Sequence, residues 1–242
     1  MANRQEQPNV LLIVTDQHRF DCLGIRQQLL QTPNLEPLAR EGIVFDQAYS
    51  CCGLCTPARA TMLTGLRPFE LGLMTNHDHY YALRAEMHSW VRGSGSMLRD
   101  AGWNCGFTGK WHVGSQNVPS TYGFEGMDLP GYGYIGHYEP YLEYLRENGL
   151  EKPKPTGTLF GPPALAGAMS GPQEASRPHY VANRSIELLR SFARDRRDSE
   201  KPFFLWTNFW GPHGAYLCCE PYASMYDPAS IEPWANYEDS LE

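Results

Sequence analysis

The sequence predicts an α/β fold in which a mostly parallel central sheet is covered by helices on both faces. Two short, continuous apolar runs, "NVLLIV" at 9–14 and "PFFLWTNFW" at 202–210, are typical of strands buried on both faces. Segments with the helical spacing of apolar residues alternate with these runs. Because parallel strands need a crossover between them, the alternation indicates helices that connect strands of one sheet.

The N-terminal part of the chain begins this alternation. The run 9–14 ends at the polar segment "TDQHR", as a buried strand followed by a functional loop would. The segment "TPNLEPLAREG" at 32–42 predicts a helix with Thr32 as N-cap, a proline in its first turn and a glycine as its stop. The apolar segment "IVFDQAY" at 43–49 then predicts a second strand.

A further helix is predicted from Pro57 to Gly65, with Thr56 as its N-cap. Cys55 therefore immediately precedes the N-terminus of a helix. The alternation continues with a helix, a strand and a long amphipathic helix, at 96–102, 103–109 and 180–195. The run at 202–210 supplies the last strand.

The alternation is interrupted between residues 126 and 178. This segment is rich in glycine and proline and carries scattered tyrosines, as in "LPGYGYIGHYEPY" and "GPPALAGAMSGP". A long segment of this composition inside an α/β pattern is typical of an insertion in a domain. We therefore predict one domain over residues 1–242, with a Gly/Pro/Tyr-rich insertion at about 126–178.

Composition excludes several classes of function. The 242 residues carry a formal charge of −7, which disfavours nucleic acid as a partner because phosphate binding depends on clustered Lys and Arg. The N-terminus has no basic segment followed by a long apolar one, and no apolar run reaches the ~18 residues of a membrane helix. Seven irregularly spaced cysteines predict no disulfide framework. These features predict a cytoplasmic protein without a membrane partner.

Polar residues that follow strands, or open the helix after a strand, are the candidates for function. Open parallel sheets bind ligands at the carboxyl ends of their strands. Each candidate also has an ordinary interpretation as a helix cap, a solvated lysine or a hydrogen-bonded histidine. The candidates are Asp16 and Gln17, Cys55 with Arg59, Lys110 with His112, and His213.

The chemistry of Cys55 leaves several possibilities open. Cys52 and Cys55 have CxxC spacing and could bind zinc with the adjacent pair Cys218 and Cys219. A thiol nucleophile is better supported, because a helix N-terminus and the positive charge of Arg59 lower the pKa of a thiol. Modification of the cysteine is a third possibility.

One segment resembles a family signature. "GLCTPARATMLTG" at 53–65 closely resembles the signature of the sulfatases, a Cys-x-Pro-x-Arg segment whose cysteine is oxidised to Cα-formylglycine. The resemblance extends to "PNVLLIVTDQHRFDCLG", "TPNLEPLAREGIVFDQAY" and "LRDAGWNCGFTGKWHVG". It implies the alkaline phosphatase-like α/β fold of formylglycine-dependent (type I) sulfatases.

The resemblance also implies an activity. It implies hydrolysis of organic sulfate monoesters, of small molecules or saccharides, by the hydrated aldehyde of residue 55. A formylglycine-generating enzyme would be the maturation partner. Asp16, Gln17 and the modified Cys55 would hold a divalent metal, with Ca²⁺ preferred over Mg²⁺ or Mn²⁺.

The remaining site residues take their roles from the same resemblance. Arg59 would orient the nucleophile, and Lys110 would contact the sulfate group. His112 would act as a base, and His213 would bind sulfate or protonate the leaving oxygen. Asn76 is a further candidate for a substrate contact.

Two departures from the family leave alternatives. The family more often has an aspartate at the position of Gln17. The Asp16–Gln17 pair is similar to that of choline sulfatase-like and phosphonate monoester hydrolase-like members, which leaves hydrolysis of phosphonate monoesters or phosphodiesters as an alternative. Family members also extend beyond this length, and their C-terminal portion supplies further metal ligands and a lysine. The chain, which ends in the acidic "IEPWANYEDSLE", therefore resembles the N-terminal part of a sulfatase with an incomplete fold, and it could be a catalytically silent truncated form.

Overall fold

Residues 7–160 and 166–233 are described by the computed structural model. Seven strands lie in this part of the chain: β1 (Val10–Thr15), β2 (Asn104–Gly109), β3 (Glu125–Gly126), β4 (Pro155–Phe160), β5 (Ala166–Met169), β6 (Phe203–Phe209) and β7 (Tyr216–Cys219). The α-helices there are α1 (Leu35–Glu41), α2 (Cys55–Thr64), α3 (Pro68–Leu71), α4 (Ser94–Asp100), α5 (Glu139–Glu147) and α6 (Arg177–Ser199).

The central sheet is parallel, as predicted. Its order is β1-β6-β2-β3, and β6 pairs in parallel with both β1 and β2. The two apolar runs of the sequence form β1 and β6, and the strand predicted at 103–109 forms β2. In this register Leu12 of β1 and Phe107 of β2 both lie beside Trp206 of β6.

Helices cover both faces of β2 and β6. On one face, Phe107 and Trp206 pack in a core with Ala60 and Leu63 of α2. On the other face Ser185 of α6 bonds to two strand threonines, with Oγ–Oγ distances of 2.7 Å to Thr108 and 3.0 Å to Thr207. A side chain at Gly106 would place its Cβ 2.9 Å from the ring of Phe192. The close approach of α6 to β2 therefore requires glycine there.

The segment at 126–178 contains more regular structure than its composition predicts. It includes α5 and the antiparallel pair β4 and β5, and β5 pairs in parallel with β7 to form a second, mixed sheet. Tyr141 and Leu145 of α5 share a core with Tyr180 of α6 and with Trp210. The segment is therefore packed against the loop that leaves β6.

The strand predicted at 43–49 is wrong. This segment is irregular, and Ile43, Phe45 and Tyr49 are exposed. A strand is stable only beside a neighbouring backbone, and none of the described strands pairs with these residues. β1 is accordingly an edge of the sheet in the described part of the chain.

Two helices begin at other residues than predicted. α1 begins at Leu35 with Asn34, not Thr32, as N-cap. α2 begins at Cys55 with an extended Leu54 as N-cap, and the N–H of Ala58 donates to the carbonyl of Leu54 at 3.1 Å. Cys55 is thus the first residue of the helix.

Two further expectations concern the chain end and membranes. The C-terminal residues 234–242 of the acidic end lie outside the described residues. Among the described helices, none combines the length and the apolar character that crossing a bilayer requires.

The Phe107 side chain should dominate the stability of the core. It is fully buried and contacts the rings of Trp111, Phe124 and Trp206. We expect Phe107→Ala to lower the free energy of unfolding by about 3–5 kcal/mol, because the cavity cannot close against three rigid rings. Urea unfolding measures this. Phe69→Ala, at a position 63% exposed, should change it by less than about 0.5 kcal/mol, and equal effects would contradict this packing.

Candidate active site

The candidate site lies at the carboxyl edge of the central sheet. Asp16 follows β1, and its N–H donates to the carbonyl of Gly211 at 3.1 Å in the loop after β6. Lys110 follows β2, and its N–H donates to the carbonyl of Asn208 at 3.0 Å. Parallel strands end at the same edge, which brings these residues together as the sequence predicts.

A buried ion-pair cluster forms the centre of the site. The ammonium of Lys110 and the guanidinium of Arg59 both donate to Oδ2 of Asp16, Arg59 at 3.3 Å. Arg59 also donates to the carbonyl of Lys110 at 3.0 Å. Asp16 is 7% exposed, Arg59 4% and Lys110 0%. Two buried cations share one carboxylate, so the cluster carries an excess positive charge.

The pKa of Asp16 reflects these neighbours. Burial alone would raise it, but the hydrogen bond from Lys110 and the charges of Arg59, Lys110 and His213 together lower the pKa below its usual value. The carboxylate is therefore ionised at neutral pH, as a ligand for a cation must be.

Cys55 lies directly against the cluster. Its Sγ is 3.7 Å from Oδ1 of Asp16 and 3.8 Å from the ammonium of Lys110. Burial and the Asp16 carboxylate raise the pKa of the thiol, although Lys110 and Arg59 oppose the change. The expectation of a lowered thiol pKa is therefore wrong. The sequence places Arg59 near the thiol, but it does not reveal that a carboxylate lies equally close.

Asn76 is held at the start of α2. Its side-chain carbonyl accepts a hydrogen bond from the N–H of Thr56 at 3.0 Å. This contact satisfies one N–H of the first helical turn, a function that the sequence assigned to the Thr56 side chain. Asn76 thus lies beside Cys55, and its contact with substrate stays a prediction.

His112 is a buried, neutral histidine. It is 2% exposed, and neither ring nitrogen has a hydrogen-bond partner in the described part of the chain. Its ring contacts those of His77 and Tyr132, with centroids 5.0 and 5.1 Å away, and Nε2 is 3.8 Å from Oδ1 of Asp78. Burial, followed by the charge of Lys110, lowers the pKa of His112 to about 3. The neutral ring has a lone pair free to accept a hydrogen bond, but its low pKa makes it a weak base.

His213 also contacts Tyr132. The ring centroids of His213 and Tyr132 are 6.0 Å apart. Nδ1 of His213 is 2.7 Å from the carbonyl oxygen of Gly214, which can only accept, so Nδ1 carries a hydrogen. Nε2 is then the ring nitrogen that remains for a substrate.

Gln17 and Asp16 are the candidate metal ligands that present oxygen. Gln17 is exposed and has a φ of 59°, a conformation that is uncommon for residues other than glycine and often marks functional positions. Its amide makes no side-chain hydrogen bond among the described residues. Carboxylate and amide oxygens suit Ca²⁺ or Mg²⁺, so the two side chains fit part of such a shell. No three described His, Cys, Asp or Glu side chains converge on a metal position.

The zinc alternative is wrong for the described residues. Cys52, Cys55, Cys218 and Cys219 do not converge, and all seven cysteines are free. The pair at 218 and 219 lies on β7, where successive side chains point to opposite faces.

Sequence reasoning missed three contributors to the site. Tyr132 lies under the ammonium of Lys110, 4.3 Å from the ring centroid, and contacts both catalytic candidates among the histidines. Asn208, at the end of β6, donates to the carbonyl of Lys110 at 3.0 Å. Asp78 lies near His112. Of the three, only Asn208 could have been found from the sequence, because it is a polar residue inside an apolar strand.

Comparison with known proteins assigns the family. Residues 8–241 match the protein family described as Sulfatase. The chain belongs to the sulfatase family. An arylsulfatase of Clostridium perfringens is 30% identical over 96% of this chain and 50% of its own length. A multifunctional alkaline phosphatase superfamily protein, PehA of Trinickia caryophylli, is 30% identical over 90% of this chain and 44% of its own. This sulfatase-family chain thus spans about half the length of these relatives.

The fold agrees with this assignment. A phosphonate monoester hydrolase from Silicibacter pomeroyi has a similar structure, with a TM-score of 0.72 and 23% identity. The match covers 93% of this chain and 46% of the hydrolase. The predicted α/β fold of the alkaline phosphatase type is therefore confirmed for this sulfatase-family chain.

Protonation of His112 should govern the stability of this chain at acidic pH. The unfolded histidine takes up a proton near pH 6.5, but the folded one does so only near pH 3. The neutral His112 therefore makes its full contribution to the free energy of unfolding above pH 6.5, and this contribution decreases as the pH falls toward 3. In wild type the free energy of unfolding should therefore decrease as the pH falls through this range. We expect His112→Gln to reduce the slope of that decrease by up to about 1.4 kcal/mol per pH unit.

Urea unfolding of wild type and variant across this pH range measures the effect. His137→Gln, at an exposed histidine, is the control and should keep the wild-type slope. Equal slopes for wild type and His112→Gln would show that His112 is not held neutral.

Proposed function

We propose that this chain carries the nucleophile and the anion-binding residues of an enzyme that hydrolyses organic sulfate monoesters. The observation that supports the proposal most is the buried cluster of Asp16, Arg59 and Lys110 around residue 55 in a sulfatase-family fold. Two cations for one carboxylate leave positive charge for a sulfate group. Water is largely excluded there, so this charge acts at low dielectric and stabilises an anion strongly.

Cys55 is proposed to act after oxidation to Cα-formylglycine by a maturation enzyme. Its raised pKa keeps the unmodified thiol protonated at neutral pH, which makes it a poor nucleophile. A hydrated aldehyde at this position supplies one hydroxyl to attack sulfur and a second that, once deprotonated, allows sulfate to be expelled. Arg59 and Lys110 bind the oxygens of the sulfate group and hold it against residue 55.

The two histidines divide the proton transfers in this proposal. His112 has free ring nitrogens and is proposed to accept a proton during release of sulfate, when the charge of the bound anion raises its low pKa. In its imidazolium form, with a hydrogen on each ring nitrogen, His213 donates the Nε2 proton to the alcohol oxygen as the sulfur–oxygen bond of the ester breaks, and it is left neutral with Nδ1–H still bonded to the carbonyl of Gly214. Tyr132 contacts both histidine rings.

A divalent metal, with Ca²⁺ preferred over Mg²⁺ or Mn²⁺, is proposed at Asp16, Gln17 and residue 55. It would neutralise charge on sulfate oxygens. These residues offer fewer oxygens than the six to eight that Ca²⁺ takes. We therefore infer that the chain by itself binds the ion weakly.

A second candidate function is hydrolysis of phosphonate monoesters or phosphodiesters. Gln17 favours it, because the Asp16–Gln17 pair resembles that of phosphonate monoester hydrolase-like members of the superfamily. The relative PehA is named as multifunctional, which is compatible with such breadth in this chain.

Paired substrates test the reaction. In the full reading frame that contains this chain, we expect 4-nitrophenyl sulfate to be hydrolysed with a higher kcat/KM than 4-nitrophenyl phenylphosphonate. The reverse order would favour the second candidate. Absence of both activities in metal-loaded, modified protein would contradict the proposal.

Removal of single positive charges, in the full reading frame that contains this chain, tests the cluster. Arg59→Ala and Lys110→Ala should each lower kcat by about 10²- to 10³-fold, because each removes a buried cation aimed at the sulfate oxygens. Lys201→Ala, at an exposed lysine, is the matched control and should leave kcat unchanged. Circular dichroism verifies the fold of each variant. Turnover near that of wild type in either cluster variant would refute that residue's assigned role.

Mass spectrometry tests the modification. Trypsin should release the peptide from Glu41 to Arg59, because it follows Arg40 and ends at the next basic residue. In protein made beside a maturation enzyme, we expect this peptide to be lighter than encoded and reactive toward hydrazides, since an aldehyde oxygen replaces the thiol. Cys51 and Cys52 should remain thiols. An intact thiol at Cys55 in protein from its native host would exclude the mechanism.

A further inference from the structure

A large cavity adjoins the candidate active site. Its volume is about 530 Å³, within the range of pockets that hold small organic ligands. Tyr134 and Tyr141 from the insertion and Trp210 from the loop after β6 form aromatic walls. Of the predicted catalytic residues, His213 lines the cavity, whereas Cys55 and Lys110 do not. The cavity therefore begins where the proposed anion site ends.

The charge of the cavity wall is one-sided. Lys152 and Arg177 carry its positive charge, His179 and His213 also line the cavity, and no Asp or Glu occurs among the described residues that do so. This is unexpected in a chain with a formal charge of −7. Neither Lys152 nor Arg177 forms an ion pair with a carboxylate in the described part of the chain. Arg177 instead lies over the ring of Tyr134, at 5.1 Å from the centroid.

The position of His213 indicates where the alcohol part of a bound ester lies. Its Nε2 is the free ring nitrogen, and Nδ1 is engaged by the carbonyl of Gly214. If His213 protonates the leaving oxygen of an ester bound at residue 55, the alcohol must lie on the far side of His213, in the cavity. This step depends on the proposed function.

We propose that the cavity binds a ring-containing alcohol, of about the size of one or two sugar units, that carries a second anionic group, a carboxylate or a sulfate. The unpaired cations of Lys152 and Arg177 bind this second group. The aromatic walls pack against the ring, and the scissile sulfate lies at Arg59 and Lys110. A neutral alcohol of the same shape would leave the cations without a counter-charge and would bind more weakly.

Isosteric substrate pairs test the inference in the full reading frame. 4-Carboxyphenyl sulfate is compared with 4-carbamoylphenyl sulfate, and 4-sulfophenyl sulfate with 4-sulfamoylphenyl sulfate. We expect kcat/KM to favour the charged member of at least one pair by about tenfold or more, at low ionic strength. The pair with the larger ratio tells which anion, carboxylate or a sulfate-like group, the cavity prefers. Ratios near one in both pairs overturn the inference.

Variants at the two cations identify which residues produce the preference for a charged substrate. Arg177→Met should bring the ratio to within about twofold of one, whereas Arg177→Lys should keep part of it. Lys152→Met should reduce the ratio. Because Lys152 is exposed and lies on a loop, this substitution should not disturb folding. Lys154→Met, two residues away and outside the cavity lining, is the matched control and should keep the wild-type ratio. A ratio that survives both Arg177→Met and Lys152→Met overturns the inference.

A binding measurement separates this inference from the proposed reaction. Calorimetric titration of 4-hydroxybenzoate and 4-hydroxybenzamide into the protein needs no turnover. Tighter binding of the benzoate that is lost in Lys152→Met and Arg177→Met supports the inference. This holds even if no sulfate ester is hydrolysed, because that result would contradict only the proposed reaction. Equal binding of the two compounds overturns the inference, whatever the activity.

Discussion

The buried ion-pair cluster of Asp16, Lys110 and Arg59 is the interaction on which the rest of the site depends. It joins the ends of β1 and β2 to the first turns of α2 through side chains that are almost fully buried. Removing one partner of such a cluster leaves an uncompensated charge in a medium of low dielectric, a loss of about 3–5 kcal/mol in comparable cases. The cluster is therefore structural and functional together, because the same geometry presents positive charge at residue 55.

Protonation at the site follows from what surrounds each group. Asp16 is ionised because two cations outweigh its burial, whereas His112 is neutral because burial and the neighbouring Lys110 both oppose a positive charge. The Cys55 thiol remains protonated because burial and a carboxylate outweigh the cations. Two buried cations, a neutral histidine and a non-ionised thiol thus belong to one site. Only modification of the thiol would make residue 55 strongly nucleophilic.

The segment at 126–178, which the sequence predicts as an insertion, joins this site to the cavity beside it. Tyr132 contacts Lys110, His112 and His213, and Tyr134 and Tyr141 continue into the cavity wall. The second sheet and α5 hold these aromatic residues in place. The central sheet thereby carries the proposed chemistry, while the insertion shapes the space beside it.

The sequence by itself determined the parallel sheet, three of its strands, the long helix α6 and the residues of the cluster, because apolar periodicity and the signature at 53–65 are local signals. Tertiary structure decided the rest. The segment 43–49 has the composition of a strand but no described strand beside it, and α5 and the second sheet arise from long-range packing that Gly/Pro-rich composition conceals. The raised pKa of Cys55 depends in part on Asp16, 39 residues away along the chain. Tyr132 contacts Lys110, His112 and His213, which are also distant from it in sequence. Neither distance nor charge environment at that separation is encoded in a local pattern.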